Sequence, residues 1–206
     1  FTSSVAEFDQ SLFKQSDIKT FTSFYNLTEA TVYVNGANGP KDSFMTTEGT
    51  MDVEYITAVS GGIPTWWIGQ NQTTNSDPYN IDFSEMCDEV LSIPGGVPPN
   101  VVSISWGMAT MEYIGKREIQ DSDNRAFRKL GLRGISVFVA SGDSGVGSRE
   151  YSQCNKFMPN WPASSPYVTS VGATYANNMG SEEISACFSG GGFSDNFPAP
   201  SYQSKH

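Results

Sequence analysis

Val101-Val-Ser-Ile-Ser-Trp-Gly107 and, about one helix further on, Ile135-Ser-Val-Phe-Val-Ala-Ser-Gly-Asp-Ser-Gly145 decide the fold. Each begins as a short apolar, β-branched run, the mark of a buried parallel strand, and each ends in small residues where such a strand would leave its sheet. Ligands of α/β folds bind at the carboxyl ends of parallel strands. Chemistry is therefore expected at Ser105-Trp106-Gly107 and at Ser141-Gly142-Asp143-Ser144-Gly145. Working outward, strands are expected over residues 4–8, 31–34, 64–68 and 167–171. Helical spacing occupies 17–25, 48–60, 83–91 and 112–130, with Gly61-Gly62 closing the second helix. A glycine-rich hairpin is expected through Gly190-Gly-Gly192. Strands alternating with helices predict an α/β architecture, a largely parallel sheet flanked by helices.

A chain of 206 residues, 38% apolar, is long enough for one sizeable core and reads as a single soluble domain. The net charge of −10 and the absence of a basic patch exclude nucleic acid and an anionic membrane surface as partners. No apolar run reaches bilayer-spanning length. The chain starts almost directly on a strand pattern and stops at His206 without a closing helix, so it is expected to be a processed or excised portion. Asn26-Leu-Thr28 and Asn71-Gln-Thr73 are candidate N-glycosylation sites, although such triplets also arise by chance. Cys87, Cys154 and Cys187 lack metal-ligand spacing, so no metal site is expected among them. Secretory or lysosomal space, or another acidic vesicle, fits this composition.

Glu48 and Asp52 stand four apart on an expected helix, which sets both carboxylates on one face beside Tyr55 and Ile56. A solvated acidic face explains the spacing equally well. In poorly solvated surroundings, however, two close carboxylates cannot both ionise readily, and one becomes fit for acid–base work. Gly142-Asp-Ser-Gly145 looks like the nucleophile motif of chymotrypsin-like proteases. That chemistry needs a histidine base, and the only histidine is His206. Ser144 is rejected as nucleophile, and the second glycine is misplaced for a nucleophile elbow.

Five motifs occur in order: Glu48-x-x-x-Asp52-Val, Ser103-Ile-Ser-Trp-Gly107, Ala140-Ser-Gly-Asp-Ser-Gly145, Pro162-Ala-Ser-Ser-Pro-Tyr-Val-Thr-Ser-Val-Gly172 and Ser189-Gly-Gly-Gly-Phe-Ser194. Together they resemble the sedolisin family of serine-carboxyl peptidases over nearly the whole chain. The resemblance implies a subtilisin-like fold, incomplete in this chain. It implies Glu48 as base, Asp52 as the carboxylate orienting it, and Asp143 as the oxyanion-hole donor. That last role needs a protonated carboxyl, since a carboxylate only accepts hydrogen bonds, and so implies activity at acid pH. Ser105, Trp106 and Gly107 would pair with substrate and wall its pocket, with Ser189, Gly190 and Gly191 around them. Glu7 and Trp106 match positions that extend the carboxylate network, though a strand-end charge and a core aromatic explain them as well.

The departures are specific. The family's nucleophile lies in a Gly-Thr-Ser motif beyond the last motif present, and no such triplet occurs in this chain. The family's calcium ligands belong to the same absent portion. The chain is thus expected to carry base, orienter and oxyanion donor of a peptidase whose serine sits on a carboxyl-terminal chain or segment acting as its partner. The rival expectation is an inactive remnant serving as a peptide-binding or structural module. Tripeptide-releasing members carry an acidic residue just after the Ser-Tyr-Gly motif. Here that position is Met108, which points to an endopeptidase acting on peptides or unfolded proteins, although Glu112 is near enough to substitute. Cys154, in the loop after the oxyanion strand, is expected to pair with Cys187 if a disulfide forms, with the absent segment as the other partner for Cys154; Cys87 is expected buried on a helix.

Overall fold

Val5 and Ala6 are wholly removed from solvent because their strand, β1 (Ser3–Glu7), lies inside a parallel sheet with neighbours on both sides. The computed structural model describes residues 1–8, 11–38, 46–70, 81–109, 116–147, 157–176 and 182–203. After β1 come α1 (Gln15–Phe24), β2 (Val32–Gly36), α2 (Thr46–Val59), β3 (Thr65–Gly69), α3 (Phe83–Leu91) and β4 (Val101–Ile104). Then follow β5 (Met108–Ala109), α4 (Arg117–Leu132), β6 (Ser136–Ala140), β7 (Asn160–Trp161), β8 (Thr169–Val171), β9 (Thr174–Ala176) and β10 (Glu183–Ser185). The main sheet runs β2-β3-β1-β4-β6-β8. Its β1–β3, β1–β4, β2–β3 and β6–β8 pairs are all parallel. This is the α/β architecture expected from the alternating pattern.

Two compact units make up the chain: residues 1–105 with 126–137, and residues 106–125 with 138–206. In the first, Val5, Phe13, Ile18, Val53 and Trp67 form one apolar cluster, with Val32 and Ile56 packed against it. That cluster seats α1 and α2 on one face of the sheet. On the other, Phe83 of α3 meets Phe8 edge-on at 5.4 Å and Phe127 of α4 at 6.3 Å. Helix α3 is well specified: Phe83, Met86, Cys87 and Val90 fall on one buried face, and Asp82 caps the start by accepting from the Glu85 amide at 2.8 Å. Cys87 is buried and forms no disulfide among the described residues.

In the second unit, β5 and β7 pair antiparallel, as do β9 and β10. Trp161 is fully buried and donates its indole N–H to Asp123 of α4 at 2.8 Å.

Three details differ from the pattern-based expectation. Helix α4 starts at Arg117, five residues later than its apolar spacing suggested, and residues 110–115 lie outside those described. The hairpin is β9–β10, and Gly190-Gly-Gly192 instead folds back on the loop after β6, where Gly190 N–H donates to Gly142 O. The 101 and 135 runs are buried on one side only: Val102, Ile104, Val137 and Val139 are covered, whereas Val101 and Ser103 are half-exposed and Ser136, Phe138 and Ala140 are exposed. A β-branched run reports a strand's preference for a sheet but not which face finds a cover.

Candidate functional site

Glu7 is the last residue of β1 and is 1% exposed. A carboxyl is placed so only when something partners it. In the first unit Asp52 does: its carboxyl is hydrogen-bonded to both Glu7 and Ser105. Three elements set this geometry. Parallel register brings Gly69 of β3 opposite Glu7, and Ala6 opposite Ile104 of β4, so β1 and β4 end side by side and Ser105 follows directly. Helix α2 lies across that end, packed through Val53 and Ile56, which aims Asp52 at the strand ends. Gly49, within α2, is what allows the approach: a Cβ there would sit 2.6 Å from the Trp67 ring. Glu48 is one turn before Asp52 on the same side of α2 and is half-buried.

Removal from water raises the Asp52 pKa above the usual carboxylate range, against the hydrogen bonds from Ser105 and Glu7, which pull it down. Two carboxyls joined by a hydrogen bond must also hold a proton between them, because ionised carboxylates only accept. The raised Asp52 pKa favours the protonated carboxyl one turn from Glu48. Beside Asp52 a cavity of about 510 Å³ opens, lined largely by Tyr55, Ile56 and Val59 of α2 with Ser3, Val101 and Ser103 of the sheet.

The second unit holds the loop after β6. Ser141 N–H donates to Val171 O at 2.9 Å, and the Asn160 side-chain amide donates to Ser141 O at 3.2 Å. Gly190 N–H donates to Gly142 O at 2.7 Å, and Gly145 N–H to Phe188 O at 2.8 Å. The Ser189 hydroxyl accepts from Ala173 N–H at 2.9 Å. These bonds pin both ends of the loop and leave Asp143 exposed at its turn. Glycine is required twice: Gly142 has φ +110° with the Asn160 amide against it, and a Cβ on Gly190 would meet Ser141 O at 1.9 Å. Gly107 likewise faces Trp161 O, 2.8 Å from where its Cβ would stand. Trp106 is half-buried, and Gly191 has open space around it. Met108 is buried in β5 opposite Trp161.

The structure thus joins Glu7, Asp52 and Ser105 in one unit, with Glu48 on the same side of α2. In the other unit it joins the Asp143 loop with Ser189 and Gly190. Ser105 as a hydrogen-bond partner of Asp52, and Asn160 as a brace of the oxyanion-type loop, were not legible beforehand. Asn160 stands two residues before the Pro162 motif, and its amide next to Trp-Pro was the only available signal. Asn26 is exposed just past α1 with φ +53°, a left-handed conformation asparagine tolerates. Asn71, Glu112, Cys154 and His206 lie outside the described residues. Cys187 is exposed with a free thiol. Among the described residues no three His, Cys, Asp or Glu side chains gather as metal ligands, and no helix is long and apolar enough to cross a membrane.

No family model matches the chain. Among curated proteins it is 34% identical over 183 residues to tripeptidyl-peptidase SED4 of Arthroderma otae, covering 82% of this chain and 29% of that protein. It is 32% identical over 205 residues to tripeptidyl-peptidase 1 of Rattus norvegicus, covering 96% of this chain and 35% of that one. The chain therefore spans about a third of the length of these curated relatives. Among solved structures, a Pseudomonas sedolisin, a serine-carboxyl proteinase in complex with pseudo-iodotyrostatin, superposes with a TM-score of 0.74 at 22% identity. That match covers 98% of this chain and 60% of the sedolisin, and at this identity it speaks for the fold.

Proposed function

This chain belongs to the sedolisin family of serine-carboxyl peptidases, and from that premise we propose that it carries the base, the orienting carboxylate and the oxyanion-hole acid of an acid-active endopeptidase. The nucleophilic serine belongs to a portion of the enzyme this chain does not span, whether a continuing segment or a second polypeptide. The observation that carries the reading is the buried Asp52 carboxyl, hydrogen-bonded to Glu7 and Ser105 and held towards its protonated form one turn from Glu48.

In this mechanism Glu48 takes the proton of the serine hydroxyl as oxygen attacks the scissile carbonyl, and returns it to the leaving amine. Asp52, whose second oxygen has no partner among the described residues, is one turn from Glu48 and would accept the hydrogen bond that orients it in the complete enzyme, while Glu7 and Ser105 fix Asp52. Asp143, protonated, donates to the oxyanion. Ser105, Trp106 and Gly107 pair with the substrate backbone, with Ser189, Gly190 and Gly191 alongside. The proton requirement on Asp143 sets activity at acid pH and fits a secreted or lysosomal setting. Calcium, expected of the family, is assigned to the unspanned portion, and no step above depends on it.

Internal cleavage is the proposed mode, since the buried thioether of Met108 cannot hold a substrate's ammonium terminus. The relatives' names favour tripeptide release as the second reading. Product analysis by mass spectrometry separates them: internal fragments support the first, and stepwise tripeptides the second.

The mechanism is tested at Asp143 and Ser144 in the complete enzyme. Asp143→Ala should lower turnover about 10²–10³-fold. Asp143→Asn, which donates at any pH, should keep more activity at the alkaline end, and Ser144→Ala should change little. Loss of activity in Ser144→Ala with Asp143→Ala intact would falsify the assignment. Intact-mass measurement of native material separates a peptidase from an inactive remnant by finding, or not finding, the serine-bearing portion.

A further inference from the structure

Between α1 and α2 lies a second recess of about 430 Å³, whose lining shares no residue with the Glu7–Asp52 pair. Asp17, Thr20, Phe21 and Phe24 line it from α1, Tyr25 from just past its end, and Glu54 from α2. Its floor is aromatic. Phe21 and Tyr25 meet at a tilt of 58° with 4.9 Å between ring centroids, Phe24 meets Tyr25 edge-on at 4.9 Å, and Phe21 lies 5.9 Å from the Tyr55 ring. Phe24 is 79% exposed, a large cost in contact with water for a residue free to be polar.

The rim is anionic, and no cationic side chain lines the recess among the described residues. Among the described residues the ion pairs are Arg117–Asp121 and Lys129–Asp88, and neither Asp17 nor Glu54 belongs to one. Among the described residues, the Asp17 carboxyl accepts from the Ser16 hydroxyl at 3.1 Å. Partial burial first, and the nearby Asp17 charge second, raise the Glu54 pKa.

We infer that this recess binds an organic cation, specifically the arginine side chain of a peptide. Aromatic faces attract cations through their quadrupole, and a planar guanidinium stacks on a ring while its N–H groups reach carboxylates at the edge. The rings touch one another and form a floor, not a closed box, so the cation enters flat with its alkyl stem across Phe24. The inference does not depend on the proposed catalytic chemistry.

Titration of the protein with N-acetylarginine amide, followed by NMR of the Phe21, Tyr25 and Tyr55 ring protons, should give saturable shifts with a dissociation constant on the order of millimolar. N-acetylcitrulline amide, alike in shape and uncharged, should bind at least about fivefold more weakly, as should arginine to the double variant Asp17→Asn, Glu54→Gln. Phe24→Ala, a surface change, should weaken binding to a similar degree with the fold intact by circular dichroism. Equal binding of the citrulline compound, equal shifts from sodium chloride, no saturation, or unchanged affinity in the carboxylate variant would each overturn the inference.

Discussion

Asp52 and Glu89 are two of the residues whose protonation ties this fold to pH. Both pKa values are raised in the folded state, Asp52 chiefly by burial and Glu89, to about 7, by burial and by the Glu85 charge. A folded protein that binds protons more tightly than its unfolded chain is most stable in acid. Stability is full below the unfolded pKa values of the two groups and falls as pH climbs through the folded ones. Glu89→Gln should therefore be neutral near pH 4 and stabilising near pH 8. Because Glu89 is half-exposed, solvent screening reduces the gain to roughly 1 kcal/mol. Urea melts at the two pH values check this, and an equal effect at both would refute it. Asp52→Asn should likewise flatten the loss of stability above pH 4 while lowering turnover, since an amide cannot share the Glu7 proton in the same way.

Helix α2 is the element on which the site depends, and Gly49 is its least expected residue. An alanine there would gain up to about 1 kcal/mol of helix propensity. It would also drive a Cβ to 2.6 Å from Trp67, whose indole is tied to Ala37 O at 2.7 Å and cannot yield. Overpacking of this kind costs about 1–3 kcal/mol. Gly49→Ala should be net destabilising by about 1–2 kcal/mol, read from the denaturant midpoint, and should lower activity beyond that loss by lifting Glu48 and Asp52 from the strand ends. A stabilised variant would show that Trp67 does not set the height of the helix. The sequence revealed this helix, its two carboxylates and the β1, β3, α3 and β4 elements nearly to the residue, because their periodicities are local. It did not reveal that Ser105 would meet Asp52, that Gly190 would fold onto Ser141, or that α4 would start at Arg117. Those depend on strand register and on contacts between segments far apart in the chain, which no window of neighbouring residues encodes.

At the scale of the molecule, the trough beside α2 is the feature that most needs a cover. Val59 is 86% exposed along it, and Phe1, Tyr55 and Ile63 add apolar surface. Parallel sheets are stable when both faces are covered, and the sedolisin on which this chain superposes has 40% of its length without a counterpart here, from 60% matched. A serine-bearing portion, as proposed above, is expected to cover this trough. Val59→Asp should change this chain's own stability by less than about 0.5 kcal/mol, as surface substitutions do, yet abolish its association with that portion in sedimentation or native mass spectrometry. Association unchanged by the aspartate would place the contact elsewhere. The two compact units also carry one fully buried tryptophan each, Trp67 bound to Ala37 O and Trp161 bound to Asp123. Each indole is thus a private optical reporter, its emission shifting to the red only when its own unit opens to water. Replacing the other tryptophans by phenylalanine would turn a single fluorescence melt into two separate clocks, one for the half that holds Glu7 and Asp52 and one for the half that holds the Asp143 loop.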